Sequence, residues 1–161
     1  MIRNVTVADA KRIADIYNYY IKDTIITFEY DLVSEEEMMR RIEKINKKGF
    51  PFIVYEANGN VEGYAYVSNW RERIAYDITL ETSVYLDENT HGKGLGSILY
   101  QELIDRSRII GIHSLIGVVS LPNPESQKLH KKFNFDLVGC FKESGIKFDK
   151  LIDVEFWQLI L

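Results

Sequence analysis

The chain has 161 residues, of which 46% are hydrophobic, 12% aromatic and 27% charged. These values exclude a disordered or collagen-like chain, and the length fits one domain, residues 1–161. Twenty Lys and Arg against 24 Asp and Glu give a net charge of -4, which argues against nucleic acid as the main partner, because phosphate binding needs a basic field.

A local anion site stays allowed. The only cysteine, Cys140, excludes an internal disulfide and fits a reducing compartment. No apolar run nears the ~18 residues of a membrane helix. The opening MIRNVTVADAKR lacks the apolar stretch of a secretory leader, so a cytoplasmic protein is expected.

In chain order, Ile2, Val5 and Val7 predict a short strand. Thr6 with Asp9 is able to cap a helix that carries Ile13, Ile16, Tyr17, Tyr20 and Ile21 at helical spacing. Ser34 and Glu37 form a capping box for a second helix, with Met38, Ile42 and Ile45 on one face and Gly49 as its stop. Residues 52–57 and 61–68 read as strands, and Asn58-Gly59 between them is a strong hairpin signal. Residues 76–86 alternate as one long strand. The glycine-rich turn His91-Gly92-Lys93-Gly94-Leu95-Gly96 follows, then a helix with Ile98, Leu99 and Leu103 inward, ending near Gly111. Leu115 to Val119 reads as a strand buried on both faces. Pro122 and Pro124 mark a loop, a short helix passes through Leu129 and Phe133, and strands are expected near 135–141 and 153–160. The order βααβββαβαββ predicts a mixed α/β sheet with helices against it. The 76–86 strand, its helix and the 115–119 strand form a parallel βαβ unit.

Three glycines in five residues, between a strand and a helix, let backbone N–H groups approach a ligand, and the helix N-terminus adds partial positive charge. The spacing is neither the dinucleotide pattern nor a P-loop. A plain chain-turning loop is the alternative. Glu81 lies inside a strand; lining a cleft, its pKa would rise and make it a better base, and otherwise it faces solvent. Asn123, between Pro122 and Pro124, is able to bond an extended ligand or simply to form a turn. His91, His113 and His130 are not at metal-ligand spacing, and Cys140 stands alone, so no metal site is expected. His130 is either structural or catalytic. Phe28-Glu29 and Trp70-Arg71 are aromatic–charged pairs. They suit a zwitterion, with Arg71 for a carboxylate and Glu29 for an ammonium, or else are surface structure.

Taken together, this order of elements and this turn resemble the GNAT superfamily of N-acetyltransferases. The family's turn reads Gln/Arg-x-x-Gly-x-Gly/Ala, and His91 stands at the Gln/Arg position. The segments Tyr76-Asp77-x-Thr79-x-Glu81-x-Ser83-Val84-Tyr85, Gly94-Leu95-Gly96-Ser97-x-Leu99-Tyr100, Leu121-Pro122-Asn123-Pro124-x-Ser126-x-x-Leu129-His130, Asp153-Val154-x-Phe156-Trp157-Gln158 and Thr27-Phe28-Glu29 are similar to phosphinothricin and methionine sulfoximine acetyltransferases. Asn134 departs from the usual Gly. The resemblance implies a mostly antiparallel mixed sheet with helices on both faces, whose one parallel strand pair splays to bind acetyl-CoA. It implies that the backbone of Val84, Tyr85 and Leu86 pairs with pantetheine. His91, Gly92, Lys93, Gly94, Leu95, Gly96 and Ser97 would hold the pyrophosphate, with Asn123 and Ser126 further along the cofactor. Glu81 would be the general base and His130 an acid for the leaving thiolate. Phe28, Glu29, Trp70, Arg71 (or Arg73) and Tyr76 would meet a small amino-acid-like acceptor. A backbone N–H near Leu86 would face the oxyanion. A homodimer and no metal are expected. An N-terminal protein acetyltransferase and a non-catalytic acyl-CoA-binding module are the competing readings.

Overall fold

The computed structural model describes residues 1–161. Its elements run β1 (Ile2–Asn4), α1 (Ala10–Asp23), α2 (Glu35–Lys47), β2 (Phe52–Ala57), β3 (Asn60–Asn69), β4 (Thr79–Leu86), α3 (Leu95–Ile109), β5 (Ser114–Ser120), α4 (Pro124–Lys132), β6 (Asp136–Lys147) and β7 (Lys150–Ile160). All seven strands join one sheet in the order β1-β2-β3-β4-β5-β7-β6. Only β4 and β5 are parallel; every other neighbouring pair is antiparallel. This is the mixed sheet the sequence predicts.

Local chemistry sets the ends of the elements. Ser34 accepts from the Glu37 N–H at 3.1 Å and starts α2, and Gly49, at φ 71°, follows its end. Asn58 and Gly59 both take positive φ and join β2 to β3. Asn134, at φ 61° beyond α4, holds a left-handed position that suits Gly and that Asn tolerates.

Four strands differ from the sequence-based expectation, the first of them ending at Asn4, with Val7–Asp9 in a 3₁₀ turn. The strand expected from Tyr76 starts at Thr79, and Ile74–Tyr76 form a 3₁₀ turn. The reason is the partner: β3 ends at Asn69, opposite Leu80, so residues before Thr79 have no ladder to extend. The last two strands are longer than expected and close at Phe148-Asp149, both at positive φ without a glycine. No turn dipeptide announces that hairpin, and β6 is further broken by two register shifts.

The helices divide the apolar side chains between two faces. Against one face pack α1 and α2, burying Ile13, Tyr17, Tyr20, Ile42, Phe52 and Tyr64. Against the other packs α3, burying Leu99, Tyr100 and Leu103 with Leu80, Leu115 and Trp157. Cross-strand partners share a face. Glu81, opposite Ser68 on β3, Ser83, opposite Tyr66, and Tyr85, opposite Tyr64, therefore all point to the α1/α2 side.

Candidate active site

The parallel ladder between β4 and β5 is short: Thr79↔Ser114, Leu80↔Leu115 and Glu81↔Ile116. Yet β4 stays paired with β3 as far as Leu86, and β5 with β7 as far as Ser120. The two strands therefore part directly after Glu81. A cavity of about 300 Å³ fills the parting. Glu81, Ser83, Tyr85, Tyr17, Tyr66 and Phe28 line it from one face; Thr82, Val84, Tyr100 and His130 line it from the other. It is a slot through the sheet.

Glu81 is half-buried in this slot, and its carboxylate has no cation or hydrogen-bond partner to offset its lost hydration. Desolvation pushes its pKa above the ordinary carboxylate range. Of the two readings open for Glu81, the structure selects the cleft.

His130 is buried on α4 and stands within a network. Its Nδ1 lies 2.7 Å from the Ser126 carbonyl, which only accepts, so Nδ1 carries the proton. Burial lowers the ring's pKa, so the second nitrogen stays bare. Nε2 then accepts from the Tyr100 hydroxyl at 3.0 Å, and Tyr100 Oη lies 2.7 Å from Thr82 Oγ1. In this tautomer the neutral ring directs no proton at the slot. The ring fits only because β5 carries Gly117 beside it; a Cβ there would fall inside the ring. A lone glycine in an apolar strand signals such close approach, and it is the sequence signal for this contact.

The glycine turn stands beyond the end of β4. Gly92 and Gly94 take φ 79° and 78°, and Gly94 caps α3. The N–H groups of Gly92, Lys93, Gly94, Leu95 and Gly96 donate to no backbone carbonyl. They form a nest at a helix N-terminus, with the chemistry of an anion cradle. Lys132 on α4 donates to Ser97 Oγ at 2.9 Å, bringing a cation that the sequence did not single out. His91 Nε2 lies 3.2 Å from Tyr20 Oη. Asn123 lines the slot and caps α4, its Oδ1 accepting from the Ser126 N–H at 3.1 Å, so turn-former and slot residue coincide.

Tyr20 is the second residue missed. Its hydroxyl donates to the Leu86 carbonyl at 2.7 Å and accepts from the Leu86 N–H at 3.1 Å. Desolvation pushes its pKa up to about 12, so the phenol stays protonated. Leu86 is therefore already engaged and offers no N–H to an oxyanion. Val84, two residues back, directs its N–H to the same open edge.

The expected acceptor residues fare unevenly. Phe28 lines the slot. Glu29 does not: it takes both Arg41 nitrogens at 2.7 and 2.9 Å and a hydrogen bond from Tyr17 Oη. Arg41 holds its pKa below the usual range, so the carboxylate is ionised and already paired within the fold. Trp70, Arg71 and Tyr76 lie outside the slot. Arg71 Cζ lies 5.2 Å from the Trp70 ring centroid and 6.0 Å from that of Tyr76, and Trp70 packs on Phe156, the β7 partner of slot residue Val118. A larger cavity of about 850 Å³ lies between α2 and the β2–β3 strands, sharing Tyr17 and Tyr66 with the slot.

A sheet splayed at its one parallel pair, with an N–H nest at the mouth, defines an acyl-CoA-dependent transferase, and the chain belongs to the GNAT acetyltransferase family, whose domain model matches residues 2–156. It is an N-acetyltransferase, with acetyl-CoA as co-substrate. Among characterised relatives, it is 34% identical to a phosphinothricin N-acetyltransferase of Streptomyces viridochromogenes, covering 98% of this chain and 85% of that one. It is 33% identical to an L-methionine sulfoximine/L-methionine sulfone acetyltransferase of Salmonella typhimurium, covering 99% and 94%. A solved phosphinothricin acetyltransferase from Sinorhizobium meliloti, in complex with acetyl-CoA, superposes with a TM-score of 0.97 at 35% identity, covering all of this chain and 88% of that one.

Proposed function

We propose that this chain acetylates the amino group of a small amino-acid-like acceptor, of the phosphinothricin or methionine sulfoximine type, by direct attack on acetyl-CoA in a ternary complex. The observation that carries the reading is the slot through the sheet with Glu81 at its apex. The nest before α3 lies on the cofactor side, and the 24–30 segment with Phe28 lies on the acceptor side. Two substrates entering from opposite faces meet at one carboxylate.

An amino acid arrives as an ammonium, which has no lone pair. Glu81 takes its proton, and its raised pKa makes it a stronger base than a solvated carboxylate. The amine then attacks the thioester carbon while both substrates are held in place. The Val84 N–H receives the oxyanion. Collapse expels the CoA thiolate, whose parent thiol has a pKa near ~8.5. The nitrogen still carries one surplus proton, which is enough to neutralise the thiolate, so the step balances without a separate acid. His130 and Tyr100 brace the wall of the slot.

Arg71, beside the Trp70 and Tyr76 rings, is the cation we assign to the acceptor's carboxylate. Two further expectations stay with the proposal. A homodimer is supported by exposed Leu137, Val138 and Phe141 on β6, an edge strand of the sheet. A cytoplasmic setting rests on the lone cysteine; no helix is long and apolar enough to cross a membrane. Release of free thiol from acetyl-CoA, measured across amino acids, their sulfoximine and phosphinate analogues and short peptides, tests the reading. Turnover of small amino acids is expected. Turnover confined to peptides would replace the proposal with protein N-terminal acetylation, and thiol release with none of these would leave a binding module.

A further inference from the structure

Lys147 ends β6, and no part of it is exposed to solvent. A buried ammonium is costly unless it is paired. Here both hydrogen-bond acceptors are backbone carbonyls, Thr27 at 2.7 Å and Tyr20 at 3.3 Å. The Tyr20 carbonyl is one of the last four of α1, at the negative end of the helix dipole, and it also accepts from Thr24 Oγ1 at 2.8 Å, so Thr27 is the closer and otherwise unshared partner of the ammonium. The Phe148 ring adds a face for the charge, 5.2 Å from Nζ.

The same segment is tied down at other points. Ser120 Oγ donates to the Ile25 carbonyl at 2.7 Å. The Tyr30 hydroxyl donates to the Ile146 carbonyl. Tyr17 Oη bonds Thr27 Oγ1 at 2.7 Å. The Phe28 ring lies where a Cβ on Gly145 would stand, so β6 makes room for it only with a glycine. Ile26, Thr27 and Phe28 are slot-lining residues, and all of these ties lead from them or their neighbours to the core and to the β6–β7 hairpin.

We propose that Lys147 is a positioning residue for the acceptor: by fixing the Tyr20 and Thr27 carbonyls it straps the 24–30 segment over the slot, and that strap selects compact amino acids over bulkier amines. This rests on the function proposed above. The charge acts on backbone, so no side chain in the 24–30 segment signals it in sequence. Desolvation also lowers the Lys147 pKa, in keeping with a charge held by geometry rather than by a carboxylate.

Lys147→Met keeps volume and removes the charge. The expected result is an acceptor KM raised about tenfold or more, since misplacing binding elements by about an ångström costs up to ~100-fold. The KM for acetyl-CoA and the kcat at saturation stay unchanged, dipeptides gain turnover relative to the best small acceptor, and amides in 24–30 exchange hydrogen faster. Gly145→Ala displaces Phe28 while leaving the ammonium intact, and raises the acceptor KM alone in the same way; it carries the test if the Met variant does not fold. The proposal is overturned if Lys147→Met folds and leaves the acceptor KM unchanged, if Gly145→Ala leaves it unchanged where the Met variant does not fold, or if the KM values of both substrates rise together. Hydrogen exchange in 24–30, read without substrate, decides whether Lys147 holds the strap even if wild type acetylates no small amine, an outcome that would sink the function reading by itself.

Discussion

In the function proposed above, the cofactor half and the acceptor half of the slot are built from different materials. At the cofactor half the ligand-facing groups are backbone N–H donors, from Gly92 to Gly96 and on the open edge of β4. At the acceptor half they are side chains, gathered from α1, the 24–30 segment, β3 and β4. Backbone donors need only the right φ values, which glycine supplies locally. A side-chain site depends on several distant segments being packed in register. The cofactor half should therefore fail by local strain, and the acceptor half by loss of tertiary ties such as those of Glu29 and Lys147.

The largest effect expected is at Glu81, where the halves meet. Glu81→Gln should lower kcat/KM by about 10²–10⁴-fold, the range attributed to a proton-transfer group, with acetyl-CoA affinity unchanged. In wild type the rate should fall with acidity through a pKa above the ordinary carboxylate range, because desolvation raises it. That limb should be absent from the variant. Stability should move the other way. A carboxyl whose folded pKa is raised binds its proton more tightly when folded, so stability declines as pH rises from the unfolded value through the folded one. At neutral pH the ionised group costs stability, and the variant should melt no lower than wild type. Activity within a few-fold of wild type would remove Glu81 as the base.

A smaller effect tests the cofactor half alone. Gly94 sits at φ 78°, where a Cβ is strained by roughly 1–2 kcal/mol. Gly94→Ala should therefore weaken acetyl-CoA binding by about tenfold, leaving the acceptor KM and the kcat at saturation intact. If the acceptor KM moves as well, the halves are not separable and the comparison breaks.

The same contrast explains what could be read in the sequence. The glycine turn, the Asn58-Gly59 hairpin, the Ser34 cap and Glu81 on its strand are local patterns, and the structure places each as its pattern implies. Glu29 looked free because its partner Arg41 lies a helix away. Tyr20 satisfies the backbone of Leu86 across 66 residues, and Lys147 reaches Thr27 across 120, separations over which no local spacing rule operates. The Phe148-Asp149 turn was unreadable for another reason: Phe148 adopts a glycine-like conformation for which its side chain carries no signal, and Asp149 alone gives only a weak one.

The smallest effect expected concerns His130, which borders both halves. With the proton on Nδ1 facing the Ser126 carbonyl and Nε2 receiving the Tyr100 hydroxyl, the proposed mechanism gives the ring the role of bracing Tyr100 and no proton to transfer. His130→Gln supplies an amide oxygen in place of Nε2, so the rate should fall by less than the ~10²-fold that loss of a proton-transfer group costs. Stability supplies a second readout. Burial lowers the folded pKa of His130, so below the unfolded value near ~6.5 the unfolded chain binds the proton better and wild type loses stability. The variant lacks that loss, and the drop in its melting temperature between pH 7.5 and pH 5, measured against wild type, should be smaller. A rate loss beyond ~10²-fold with an unchanged melting temperature would mean that Nε2 carries a proton during turnover. Tyr100 would then donate into the slot rather than to the ring, and the boundary between the halves would itself take part in the chemistry.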